Sequence, residues 1–349
     1  MKLNPFRKNR KNKIDFNLPK VYRTKTIRGV SMPGIIRNGT HFFVDLEVYE
    51  DGRVECWNFE DFEHFKKDVK RGWVSVSIPN RENISIHGLG SWSINDGIWI
   101  HNKESFIDYV WSVIKYLNPN LDNLYSYSEK RENNIIIGES GKGKIYKENK
   151  RIPDDPFPKK VIGKGANLFL KDKEDKYHLI RLDIYNEESI IVSRLEKSFE
   201  ITLAQLEQMI LEGKLLSELP NGVQVNILGL GNFKVEEKQY ATRISEKLLE
   251  IKDTIRKLEG KPSTIETCIK IHQQYTANPT NDLREQLKEA YENIPEHERA
   301  YVGDMDVKDT IIRMIIYGEQ EIENWSHYQL AKRMGEELPS ISIPKPKND

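Results

Sequence analysis

Only two cysteines, Cys56 and Cys268, occur in the 349 residues, far apart and in different segments. That excludes a disulfide framework and a cysteine-based zinc site, and it suits a reducing compartment. Long apolar runs are missing as well. None approaches the roughly 18 residues of a membrane span, and the basic N-terminus lacks the apolar core of a signal peptide, so neither membrane insertion nor secretion is expected. An excess of one charge is absent too, with 54 basic residues set against 54 acidic ones. The whole chain therefore has no electrostatic bias toward nucleic acid or an anionic membrane. The expectation is a cytoplasmic protein, and the abundance of Lys, Ile and Asn points to an AT-rich, bacterial genome.

What the chain does contain is a copy of itself. A module near residues 34–94 recurs near 164–235. Phe62 and Leu203, Gly72 and Gly213, Pro79 and Pro220, Ile86 and Ile227, and Gly88-Leu89-Gly90 and Gly229-Leu230-Gly231 all lie 141 positions apart without a gap. Ahead of that block, Val44–Tyr49 answers to Ile180–Tyr185, both alternating apolar with polar as a half-buried strand does. Asp51-Gly52 marks a hairpin turn, with Asn186-Glu187-Glu188 in its place in the second copy, and a second strand follows in each, Arg53–Trp57 and Ser189–Arg194. Phe62, Phe65 and Val69, matched by Leu203, Leu206 and Ile210, form a helical stripe, with Gly72 and Gly213 at its left-handed end. A last strand runs into Gly-Leu-Gly, where a side chain would clash. Each copy reads as a β-β-α-β unit of about 65 residues, marginal alone. A helix on Phe106, Tyr109, Val110, Val113, Ile114 and Leu117 trails the first.

The fold class expected is thus α+β: two related modules followed by a mainly helical C-terminal domain. The segments are a basic arm (1–19), the first module with its trailing helix (20–117), a linker with room for one hairpin (118–160), the second module (161–238), a helical domain (239–338) and a Pro-rich tail (339–349). In the linker, Gly138–Lys144 satisfies the G-x-x-x-x-G-K spacing of a phosphate loop. Ile145 stands where Ser or Thr must hold magnesium, and Ile145-Tyr146-Lys147 reads as a returning strand, so a glycine-rich turn is the expectation.

Chemistry-bearing side chains concentrate in the first copy. Trp57, Trp73, His87, Trp92 and Trp99 are candidate binding residues, because aromatic rings supply large contact area with a polar handle. The competing reading puts the tryptophans in the core and the histidines on strand faces, and His41, His64, His87 and His101 show no metal-ligand spacing. In the helical region, Ile244, Leu248, Ile251, Ile255 and Leu258 form an a/d seam. Further on, Asp304, Asp306 and Asp309 are close enough in sequence to share Mg²⁺ or Mn²⁺, with Glu319, Glu321 or His327 in reach. Equally, Asp306 suits an N-cap, with Asp309 reaching back from the third position of a helix over Val307–Tyr317.

Three functions remain open. The favoured one is a non-enzymatic scaffold that recognises a protein partner and needs no cofactor, as in bacterial immunity or conflict-system accessory proteins. Its rival is a metal-dependent hydrolase using Asp304, Asp306 and Asp309. The third is nucleic-acid binding through the arm, with Lys2, Arg7, Lys8, Arg10, Lys11 and Lys13.

Overall fold

A computed structural model describes residues 27–57, 61–122, 124–125, 128–132, 135–139, 162–185 and 189–346. The protein is α+β. Its first module begins with β1 (Gly29–Asn38) and β2 (Thr40–Tyr49), a hairpin that turns on Gly39 at φ 73°. Along β2, Val44, Leu46 and Val48 point into the core and Asp45, Glu47 and Tyr49 away from it, the alternation written in the sequence. Asp51-Gly52 turns the chain into β3 (Val54–Glu55), which pairs with β2. Helix α1 (Phe62–Arg71) starts where the Asp61 side chain accepts the His64 N–H at 2.9 Å, buries Phe65 and Val69, and stops at left-handed Gly72. β4 (Val74–Ser75), β5 (Asn83–Ile86), β6 (Gly90–Trp99) and α2 (Lys103–Leu117) complete the module. A capping box between Asn102 and Ser105 begins α2, and Phe106, Val110 and Ile114 seat it on the sheet.

After the hairpin of β7 (Ser128–Glu132) and β8 (Ile135–Glu139), the second module repeats the order. This hairpin is not the one expected: β8 pairs with β7 upstream of it, and Ser140–Lys147, with the rest of the expected turn and its returning strand, lies outside the described residues. The elements are β9 (Gly163–Lys171), β10 (Tyr177–Tyr185), β11 (Ile190–Ser193), β12 (Phe199–Ile201), α3 (Leu203–Leu211), β13 (Leu215–Leu216), β14 (Gln224–Ile227), β15 (Gly231–Ala241) and α4 (Ile244–Leu258).

The duplication is longer than the β-β-α-β unit read from sequence. β1 and β9 precede it, β6 and β15 extend it, and α2 and α4, each of 15 residues, end it. This moves a boundary. The a/d seam of α4 lies against the second module's sheet, with Ile251 and Ile255 inside the common core, so the helical domain does not begin at residue 239.

Both modules share one 13-stranded sheet, joined where β6 pairs antiparallel with β15. Along the sheet, β2 and β10 are separated by β5, β6, β15 and β14. A flat sheet would hold them about 24 Å apart, at about 4.8 Å per spacing. Side chains of the two strands nevertheless meet, so the sheet curls until its halves face each other. Trp92 of β6 packs edge-on against Phe169 of β9, with ring centroids 5.4 Å apart.

The C-terminal domain comprises α5 (Thr264–Ala277), α6 (Asn281–Glu292), α7 (Thr310–Tyr317) and α8 (Ser326–Met334). Cys268, Tyr275, Leu287, Tyr291, Ile294, Ile312 and Ile315 form a core of its own. The Pro-rich tail docks there, Ile343 packing on that core and the Pro344 carbonyl accepting the Tyr275 hydroxyl at 2.9 Å. Among the described residues no helix is long and apolar enough to cross a membrane.

Candidate recognition cleft

The join between modules is built by two glycines. Gly90 at φ 154° and Gly231 at φ 143° begin β6 and β15, each directly against the other strand. A Cβ on Gly90 would overlap the Tyr240 carbonyl oxygen and lie 2.8 Å from Ala241 Cα; one on Gly231 would overlap the Ile98 carbonyl oxygen and lie 3.0 Å from Trp99 Cα. The middle residues of both Gly-Leu-Gly segments finish the join reciprocally. Leu89 O accepts from Thr242 N at 2.7 Å, and Leu230 O accepts from Ile100 N at 2.9 Å. Equivalent strands therefore meet about a local twofold relation.

Where the curled halves face each other, β2 carries Asp45 and β10 carries Arg181, paired at 2.6 Å. Arg181 also donates to Asp183 at 2.6 Å and to the Ser31 hydroxyl at 3.0 Å. Arg194, with its side chain only 8% exposed, pairs with the other Asp45 oxygen, donates to Asn167 at 2.9 Å and lies over the Phe43 ring. Burial pulls the Arg194 guanidinium down to about 10, which leaves it charged at neutral pH. Gly165 leaves room for Arg181, since a Cβ there would lie 2.5 Å from the guanidinium.

Beside this ionic lock opens a cleft of about 890 Å³ that draws on both modules. Phe42, Glu47, Glu55, Trp57 and His87 line it from the first, Arg181, Tyr240 and Thr242 from the second. Trp57 is 54% exposed and Tyr240 63%, so each module presents one open aromatic ring. Trp57 sits in a left-handed backbone conformation, φ 57°, which costs energy for a non-glycine residue. Its ring lies 5.4 Å from Phe42 and 6.4 Å from Trp73. Glu47 and Glu55 are direct cross-strand partners on β2 and β3. Cys56, next to Glu55 in the chain, also lines the cleft, its thiol pushed up to about 12 by burial and then by Glu47, so it is protonated rather than nucleophilic at neutral pH. The set offers aromatic faces, carboxylates and an imidazole: groups that bind by contact and charge.

Of the five residues singled out from sequence, Trp57 and His87 line the cleft, and Trp73 is outside its lining but packs edge-on against the Trp57 ring. Trp92 does not belong with them. It is 1% exposed and part of the core, where its ring packs edge-on against Phe169 of the second module. Trp99 sits at the join instead, stacked on Phe233 of the other module at 6.3 Å. Sequence reasoning missed Glu47, Glu55, Arg181 and Tyr240. The first three were visible as polar positions of alternating strands, but nothing local shows that the sheet curls to bring them together.

The aspartates are spread over different tasks. Asp304 accepts the backbone N–H groups of Asp306 and Val307 at 3.1 and 2.7 Å, Asp309 accepts the Tyr291 hydroxyl at 2.5 Å, and Asp306 is exposed. Neither expectation for the helix start holds. α7 begins at Thr310, the Asp309 side chain makes no cap bond, and the role expected of Asp306 falls to Asp304 on the preceding turn. Among the described residues no group of three or more His, Cys, Asp or Glu is placed to hold a metal. The basic arm lies outside the described residues.

The family described as Domain of unknown function (DUF7638) matches residues 17–121 and 151–262, one segment for each module with its trailing helix. A second, Domain of unknown function (DUF7639), matches residues 263–341, the helical domain. The border between them falls at Ser263, which caps α5. No curated protein and no solved structure matches the chain.

Proposed function

For a chain that belongs to the family Domain of unknown function (DUF7638) and carries its module twice, we propose a non-enzymatic recognition function, with a protein partner received in the cleft between the modules. The observation that carries this reading is the pair of open rings, Trp57 and Tyr240, one from each module, in the lining of a preformed cleft. Large rigid aromatics bury much surface for little lost side-chain entropy, and they supply the anchor residues of many interfaces. The left-handed backbone at Trp57 fits the same reading: strain of about 1–3 kcal/mol persists where the surroundings hold a residue in place for a task. The bacterial, cytoplasmic setting suggested by composition agrees with such a role.

Co-purification with the full chain from its source cells tests it. A defined partner is expected with the wild type and not with Trp57→Ala or Tyr240→Ala, whose melting temperatures should stay close to wild type. Absence of any stoichiometric partner, or substitutions that act only by lowering stability, would remove the reading.

A further inference from the structure

The cleft's charge is unbalanced at one spot. Glu47 and Glu55 lie directly opposite each other on β2 and β3, and like charges so placed repel. Neighbours answer each glutamate through one oxygen only. Glu47 Oε2 accepts the Tyr49 hydroxyl at 2.6 Å, a neutral partner, and Glu55 Oε1 meets Arg53 Nη1 at 3.3 Å. Among the described residues the other oxygen of each has no hydrogen bond. At the corresponding place of the second module, Asp183 stands opposite Ile191, and Arg181 and Ser193 already satisfy the carboxylate. The like-charge pair is thus peculiar to the first module, where it lines the cleft together with the open Trp57 ring.

We infer that this corner of the cleft receives an arginine side chain of the protein partner, an assignment that rests on the recognition reading above. A planar guanidinium offers several N–H donors to two adjacent carboxylates while its face stacks on an aromatic ring. Among the described residues Arg181 is the one lysine or arginine lining the cleft, and Asp45 and Asp183 already engage it, so it is not free to answer the open carboxylate oxygens. Phe42 and Trp57 would cover the aliphatic stem.

The probe is acetyl-Gly-Arg-Gly-amide, added to the ¹⁵N-labelled full chain while the indole N–H signals of its six tryptophans are followed. Trp57→Phe identifies the Trp57 signal. Saturable movement of that signal is expected, with acetyl-Gly-Glu-Gly-amide inert. Glu47→Gln/Glu55→Gln should weaken binding about tenfold or more through lost charge-assisted bonds, while the free double variant melts no lower than wild type because the repulsion is gone. An unmoved Trp57 signal, equal movement with the glutamate peptide, or undiminished binding by the double variant would overturn the assignment. If a co-purified partner depends on Trp57 but binds the double glutamine variant normally, recognition stands and arginine falls; loss of any Trp57-dependent partner removes both.

Discussion

Asp45 and Arg181 occupy the same position of the two modules and are bonded to each other at 2.6 Å. A residue that meets its own counterpart lies close to a local twofold relation, where two identical modules would set like against like. Here the charge is reversed in one copy, and the reversal is built in: Arg194 shares Asp45, while Asp183 and Ser31 hold Arg181. The modules have become complementary halves rather than repeats. The same divergence leaves a like-charge glutamate pair, Glu47 and Glu55, in the first module, where the second has Asp183 opposite Ile191.

Asp45→Ala should therefore be costly. It leaves the deeply buried Arg194 without its carboxylate and Arg181 with Asp183 as its remaining one, and removing one partner of a buried ion pair costs about 3–5 kcal/mol. Partial exposure of Asp45 places the expected loss at the low end, about 3 kcal/mol. Chemical denaturation measures it. Asp45→Ala/Arg181→Ala should lose less than the sum of the single changes, because each single change already breaks the bond between the two side chains; strict additivity would show that the two side chains do not act as a pair.

The glycines of the join make a second case. Alanine at Gly90 or Gly231 drives a Cβ into backbone of the other module, and backbone cannot step aside as a side chain can. Each substitution should cost about 3 kcal/mol or more, among the larger single-residue effects. Gly39→Ala, at φ 73° but facing open space, should cost only about 1 kcal/mol. Equal, small losses at all three sites would mean that conformation alone, and not close approach, selects glycine at the join.

How much of this was legible in the sequence depends on periodicity. β2 and β10 alternate, α1 and α3 carry an apolar stripe, and Gly72 ends its helix in the left-handed region, so these elements could be placed from residue order alone. β1 could not, because Met32–Ile36 is buried on both faces and the run does not alternate. Gly-Leu-Gly announced a close approach without saying what approaches. The seam of α4 marks one buried face of a helix, but its partner is not a bundle of helices: it is a sheet formed by residues some 70 positions away. The cleft was legible only in its first-module half, since Tyr240 and Arg181 arrive through the β6–β15 pairing and the curl.

Two tryptophans treated alike in sequence should behave differently. Trp57→Ala removes a mostly exposed ring and should change stability by less than about 1 kcal/mol. Trp92→Ala empties a filled core site against Phe169 and should cost about 3–5 kcal/mol. Thermal melts of both variants decide. A large loss at Trp57 would make it a packing residue and weaken its standing as an anchor.

In the helical domain, Asp309 and Asp306 separate structure from surface. Asp309→Ala leaves the buried Tyr291 hydroxyl without its acceptor, at a cost of about 1–3 kcal/mol. Asp306→Asn keeps the backbone carbonyl that accepts the Trp325 indole N–H at 2.8 Å and should be close to neutral. A stability increase on adding Mg²⁺ or Mn²⁺ that vanishes in Asp306→Asn would instead restore the metal reading.

His41 gives the protein a pH dependence of known sign. Its side chain is 2% exposed on β2, and burial depresses its pKa below the ordinary 6.5; the Glu82 carboxylate at 3.2 Å opposes that shift and Arg37 adds to it. The folded state then binds fewer protons than the unfolded chain once the pH falls below about 6.5. His41 contributes fully above that value, and its contribution is lost as the pH falls through the folded pKa, at no more than about 1.4 kcal/mol per pH unit. Below about pH 5 the carboxylates begin to titrate, so the informative window is pH 5 to 7. His41→Gln removes the titration, and its stability curve should be flatter than wild type across that window even if lower throughout. Parallel curves would show that the buried imidazole does not set the slope, leaving His272, also depressed by burial, to account for it.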